Sequence, residues 1–266
     1  MSTPRIGCHL SLGTKPEVSL AEAARHGVEC VQIFASSPAA WKPPIHDEAR
    51  EALTIRVRDA HGIEPLFIHA IYLINLASND STLTRQSQNS LVATLAAAAK
   101  LQARGVIVHT GSHLGRGFEA VAAEVGTRIL EVLESAPAGV ELILENSAGS
   151  GGTIGASLEE LATVLDAVKW HPAVKIALDT AHLCGAGWDF TQVKSAVLLA
   201  QRIRDTVGFA RLAAIHANDS KLPAGSRRDR HASVGEGFIG VDGFRSLFRV
   251  PEFRTVPWIC ETPDLG

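Results

Sequence analysis

The chain has 266 residues, 46% of them hydrophobic, and a formal net charge of −3. This is enough apolar material for a large core, and it argues against gross disorder. A pI near 6.4 excludes a global basic field, although a local patch could still meet nucleic acid. The four cysteines (Cys8, Cys30, Cys184, Cys260) form no CxxC pair. In a chain of this length they point to reduced thiols in a cytosolic protein. The N-terminus, MSTPRIGCHL, has neither a basic leader nor a long apolar run, so no secretion signal is expected. No apolar stretch approaches the roughly 20 residues of a membrane span.

The elements follow one rhythm along the chain. Residues 5–10 (RIGCHL) form a first strand, and 18–26 a helix stopped by Gly27. Residues 30–34 (CVQIF) are a second strand, with an uncharged exit loop through Trp41. A second helix over 46–61 is closed by Gly62. Residues 64–69 (EPLFIH) end a third strand on His69, and an Ala/Leu-rich helix over 81–104 is closed by Gly105. The fourth strand, 106–109, ends on His109, and a helix spans 117–135. The fifth, 140–145 (VELILE), ends on Glu145; a Gly/Ser-rich loop and a helix over 157–169 follow. The sixth, 174–179, ends on Asp179, with His182 three residues on and a helix over 191–207. The seventh, 211–216, ends on His216. A polar loop over 217–237 and a helix over 241–248 lead to the eighth, 257–261 (PWICE), ending on Glu261.

Short apolar runs bounded by turn residues read as buried strands. Eight of them alternating with helices at this length predict an α/β fold, a single (β/α)₈ TIM barrel over residues 1–266. A doubly wound open sheet is the alternative, but it would gather function at one switch point. Ligand-type residues at successive strand ends fit a closed ring better. Only five residues follow Glu261, so a full eighth helix after the last strand is not expected. Cys8 and Cys260 fall on strands that are neighbours in a closed barrel, and Cys260 should point outward if Glu261 points in.

At the C-terminal rim this fold would gather His69, His109, Glu145, Asp179, His216 and Glu261. His182 adds to them just beyond the sixth strand, and Asp229 and His231 from the polar loop. Imidazole with carboxylate suits zinc, with manganese or iron as competitors. So many donors imply two or three ions with a bridging carboxylate. Without cations the carboxylates would raise one another's pKa. His9 is expected to stand behind this set, and His26, His46, His61 and His171 to face solvent.

The segments IGCHLS, HAIYLINLAS, HTGSHLG, ENSAGSGG, LDTAHLCGAGWD, HANDSK, GSRRDRHASVGEGFIG and the final ET occur in this order. The chain thereby resembles the endonuclease IV family, metal-dependent apurinic/apyrimidinic endonucleases of DNA repair. The resemblance implies three zinc ions: one on His69, His109 and Glu145, a second on Glu145, Asp179, His216 and Glu261, and a third on His182, Asp229 and His231. It implies hydrolysis on the 5′ side of an abasic site, leaving a 3′-hydroxyl and a 5′-deoxyribose phosphate, with Glu145 or Glu261 orienting the attacking water. Tyr72 and Leu73 would wedge into the duplex, and Arg227, Arg228 and Arg230 would meet phosphates. Loop glycines would let backbone amides approach phosphates. The expected partner is double-stranded DNA carrying abasic sites, met by a monomer in a bacterial-type cytoplasm at the nucleoid. The rivals are a one-metal sugar isomerase or epimerase on the same barrel, and an inactive DNA-binding relative.

Overall fold

The computed structural model describes residues 3–192 and 194–262. The barrel strands are β1 (Ile6–Leu10), β2 (Cys30–Phe34), β3 (Leu66–His69), β4 (Gly105–His109), β5 (Glu141–Glu145), β6 (Val174–Asp179) and β7 (Leu212–His216). A short hairpin follows, β8 (Asp219–Ser220) with β9 (His231–Ala232), and β10 (Trp258–Cys260) is the last barrel strand. The barrel closes in the order β1-β10-β7-β6-β5-β4-β3-β2, every pair parallel. The expected single barrel is therefore what these residues form.

Two apolar layers explain why the strand sequences are nearly all apolar. Cys30, Phe67, Ile107, Ile143, Ala177, Ala213, Ala214 and Ile259 make one buried cluster. The alternate residues, such as Val31, Ile68, Val106, Leu142 and Ile176, belong to a larger one shared with the helices. A parallel strand covered on both faces loses the polar alternation of a half-exposed one. Cys260 packs against the larger cluster, the outward direction expected of it, and pairs in register with Cys8.

The helices are α1 (Pro16–Arg25), α2 (Glu48–Ala60), α3 (Ser81–Lys100), α4 (Phe118–Ser135), α5 (Leu158–Ala167), α6 (Thr180–Ala186), α7 (Ser195–Asp205) and α8 (Gly240–Arg249). Side-chain caps set several starts: Asp80 accepts from the Thr82 and Leu83 amides, and Ser157 accepts from Glu160. Gly27 and Gly62 do adopt positive φ after α1 and α2. Gly105 does not close α3. It lies buried in β4, and α3 stops at Lys100, where Gln102 takes the positive φ instead. Among the described residues no helix follows β10. The eighth helix arises because the β6–β7 connection splits into α6 and α7. No helix of the described residues is long and apolar enough to cross a membrane.

Candidate metal centre

Parallel register brings the first donors together. His109 stands opposite Glu145 at the ends of β4 and β5, and Asp179 opposite His216 at the ends of β6 and β7. His69 ends β3, and Glu261 lies one residue past β10. His231 comes from an element that sequence reading took for plain loop: it opens β9, paired to β8 as Ser220↔His231. The hairpin folds the polar loop back over the barrel mouth. Directly after Asp179 the chain enters α6, which the sequence reading did not name, and Asp179 is its N-cap, with Oδ1 accepting from the His182 amide at 2.8 Å. Capping turns His182 back over the strand end that carries Asp179.

Glu145 is the centre of the set. Its Oε2 lies 3.2 Å from His69 Nε2 and 3.5 Å from His109 Nε2. Its Oε1 lies 2.9 Å from His216 Nδ1. Asp179 Oδ2 is 3.5 Å from His231 Nε2. Asp229 spans two rings, Oδ2 at 3.1 Å from His182 Nε2 and Oδ1 at 3.0 Å from His231 Nε2. Three groups have ligand atoms mutually within 4.8 Å: His69, His109 and Glu145; Glu145, Asp179, His216 and Glu261; Asp179, His182 and His231. Eight of the nine donors named from the sequence fall in these groups, with Asp179 in both the second and the third; the ninth, Asp229, lies outside them and meets the third through its contacts to His182 and His231.

Two of these rings have their outer nitrogens held by backbone carbonyls. His69 Nδ1 bonds Ala70 O at 2.7 Å, and His182 Nδ1 bonds Asn146 O at 2.9 Å. Each then donates outward and presents Nε2 to the carboxylates, as a histidine oriented toward a metal does. His231 Nε2 is buried without a hydrogen-bond partner, despite the carboxylate oxygens beside it. A buried ring nitrogen on which two carboxylates converge, Asp229 and Asp179, fits a shared cation. The donor set, imidazoles with carboxylates, fits zinc.

Electrostatics agree. Burial alone would raise the Glu145 carboxyl, but His109 and His216 hold it well below the usual range. Burial likewise opposes the charged form of Glu261, and His216 outweighs it, so its pKa is lowered. Burial would depress His216 and His231, yet Glu261 and Glu145 push the first up to about 9, and Asp179 and Asp229 the second up to about 9. His182 rises for the same reason, chiefly through Asp179. His9 moves oppositely, to about 4, because burial dominates. It sits behind the set as expected, Nδ1 at 3.8 Å from Glu261. His26, His46 and His61 are exposed, whereas His171 is half-buried.

Several residues that hold the donors in place were not singled out from the sequence. Asn218 Nδ2 donates to Asp179 Oδ2 at 2.5 Å and to Glu261 Oε2 at 3.0 Å. Asn146 Oδ1 accepts from the Asp179 amide at 2.6 Å. Buried Asp219 accepts from the amides of Ser220, Gly235, Ile239 and Gly240, tying down the segment after β9. Their signal was present: an asparagine directly follows the Glu145 strand end, and another lies two residues past His216.

Above the donors opens a cavity of about 680 Å³, whose lining includes Tyr72, Leu73, Thr110 and Ser147. Tyr72 is 58% exposed at its rim, and its ring lies 5.5 Å from those of Phe34 and His69. Arg227, Arg228 and Arg230 are exposed on the loop between β8 and β9. The glycine loops pack on each other. Gly111 has φ of +110°, and a Cβ there would lie 2.3 Å from Asn75 Oδ1.

A closed parallel barrel with histidines and carboxylates converging at its C-terminal rim defines the class. Residues 20–266 match the family described as a xylose isomerase-like TIM barrel. Over 98% of its length the chain is 37% identical to a probable endonuclease 4 of Natranaerobius thermophilus, covering 92% of that protein. A probable endonuclease 4 of Thermotoga maritima is 35% identical over 97% of this chain and 91% of its own length. The crystal structure of endonuclease IV from Thermus thermophilus superposes with a TM-score of 0.86 at 34% identity, covering 98% of this chain and 93% of that one. The chain belongs to the endonuclease IV family of nucleases. A D-tagatose 3-epimerase-like protein, at 19% identity and a TM-score of 0.71, shares the fold.

Proposed function

We propose that the chain is a zinc-dependent endonuclease that hydrolyses the phosphodiester 5′ to abasic sites in duplex DNA, leaving a 3′-hydroxyl and a 5′-deoxyribose phosphate. The observation that carries this reading is the run of three donor groups joined through Glu145 and Asp179 beneath a cavity with Tyr72 at its rim. His69, His109 and Glu145 would hold one zinc ion, and Glu145, Asp179, His216 and Glu261 a second. His182, Asp229 and His231 would hold a third, with Asp179 beside them. When bound, the ions supply Lewis-acid neutralisation of the phosphate and acidify water toward neutral pH.

The remaining work belongs to side chains. Glu145 and Glu261 are the candidate catalytic carboxylates, kept ionised by the histidines around them and so able to accept a proton or orient water. An abasic nucleotide has little stacking to lose on leaving the helix. Tyr72 and Leu73 would fill the gap it leaves, and Arg227, Arg228 and Arg230 would meet backbone phosphates. The protein would act as a monomer on cytoplasmic, nucleoid DNA. A one-metal epimerase would leave the His182–Asp229–His231 group without a task.

The test is a duplex carrying a single tetrahydrofuran abasic analogue, with metal content measured in parallel. Incision 5′ to the analogue and close to three zinc ions per chain are expected. Failure of the metal-loaded protein to nick it would overturn the reading, and one manganese per chain would favour the epimerase.

A further inference from the structure

Gln32 is fully buried in β2, a primary amide among Cys30, Val31 and Ile33. A buried amide must satisfy one carbonyl and one amino group, or each unpaired group costs roughly 1–3 kcal/mol. Both are satisfied here, by groups of the metal centre. Oε1 faces His216 Nε2 at 2.9 Å. Nε2 donates to Glu261 Oε1 at 2.5 Å and meets His9 Nδ1 at 2.9 Å.

We propose that Gln32 is the positioning residue for the ion assigned to Glu145, Asp179, His216 and Glu261: its carbonyl holds the proton of His216 on Nε2, and its amino group pins one oxygen of Glu261. The proposal rests on the metal reading given above. Chemistry decides the amide's orientation. Turned over, its carbonyl would face the Glu261 carboxylate with no proton between them. The carbonyl therefore accepts, and His216 Nε2 must donate. That leaves His216 Nδ1 facing Glu145 Oε1 at 2.9 Å and Glu261 Oε2 at 3.3 Å. With Oε1 of Glu261 held by Gln32, Oε2 is the oxygen turned toward His216. One side chain thus orients two donors, one at the end of β7 and one just past β10, which backbone register alone cannot do. His69 and His182 are oriented instead by backbone carbonyls.

The test compares zinc-loaded wild type with Gln32→Met, which keeps the length and removes both hydrogen-bonding groups, and with Gln32→Glu, which keeps an acceptor. With ¹⁵N-labelled histidine, wild type is expected to show a slowly exchanging His216 Nε2–H resonance. Gln32→Met is expected to lose it and Gln32→Glu to retain it. Chelator competition is expected to show one ion of Gln32→Met held about 10- to 100-fold more weakly than in wild type, the others unchanged. Circular dichroism establishes that each variant is folded, and Gln32→Glu keeps the test available if the methionine variant is not. Persistence of the resonance and of wild-type ion retention in Gln32→Met, or loss of the resonance in Gln32→Glu, overturns the proposal. Failure of wild type to take up zinc at all would instead overturn the metal reading beneath it.

Discussion

Stripping the protein of metal should leave a stability that falls between pH 7 and pH 9, the opposite of what a carboxylate-rich site suggests. His216 is fully buried, 2.9 Å from one glutamate oxygen and 3.3 Å from another. These carboxylates push it from 6.5 to about 9. A histidine raised on folding contributes its full stabilisation below its unfolded pKa and loses it as pH rises through the folded value. The rise corresponds to roughly 3 kcal/mol, and only a few tenths of a kcal/mol remain by pH 9. The depressed pKa values of Glu145 and Glu261 describe the same interaction and are not added. For a domain of this size the loss lowers Tm by roughly 6–12 °C. His231 and His182 are shifted the same way, whereas His9 and His109 are lowered and act only below about pH 6.5. The assay is thermal melting of chelator-treated protein from pH 6 to 9, with His216→Gln as the variant that removes the His216 share of the slope and leaves that of His231 and His182. Zinc-loaded protein should show the reverse trend, because ligands must shed protons to bind metal. A Tm that is constant or rising from pH 7 to 9 in the metal-free protein would refute the reasoning.

Glu145→Gln removes the carboxylate common to two donor groups and should lower single-turnover incision by roughly 10³-fold, with metal content per chain falling in parallel. For His231→Ala, turnover should drop while anisotropy with a lesion duplex stays near the wild-type curve; equal loss of both would mean that this group mainly organises the DNA-binding loop. Tyr72→Ala should weaken lesion binding by about 1–3 kcal/mol at unchanged zinc content, and unchanged affinity would remove Tyr72 from the interface. In Asp219→Ala the amides of Gly235, Ile239 and Gly240 lose their acceptor, so their hydrogen exchange should quicken relative to β4 and β5.

The barrel and its donors were legible because both are written in local pattern. Each apolar run from β3 to β7 ends on the residue that meets the cluster, so periodicity and the rim of the fold named His69, His109, Glu145, Asp179 and His216 together. Asp229 and His231 were named as donor-type residues of the polar loop after the seventh strand, without the hairpin that delivers His231. Two-residue strands carry no periodicity, and β8 and β9 are fixed by long-range contacts, among them those of Asp219 to the amides of Gly235, Ile239 and Gly240. Gln32 was invisible for a different reason. A lone polar residue in a strand shows only that something must satisfy it, and its partners, His9, His216 and Glu261, lie up to 229 positions away.

What the sequence determined by itself was therefore the order of strands and the chemistry at their ends, since alternation and strand termination are properties of neighbouring residues. Tertiary structure alone decided which donor faces which. That Asp179 faces His231, that Glu145 lies between His69 and His216, and that Gln32 orients two donors all depend on closure of the ring. Closure sets β10 beside β1 and brings Glu261 back to Gln32, through hydrogen bonds whose partners no local stretch contains.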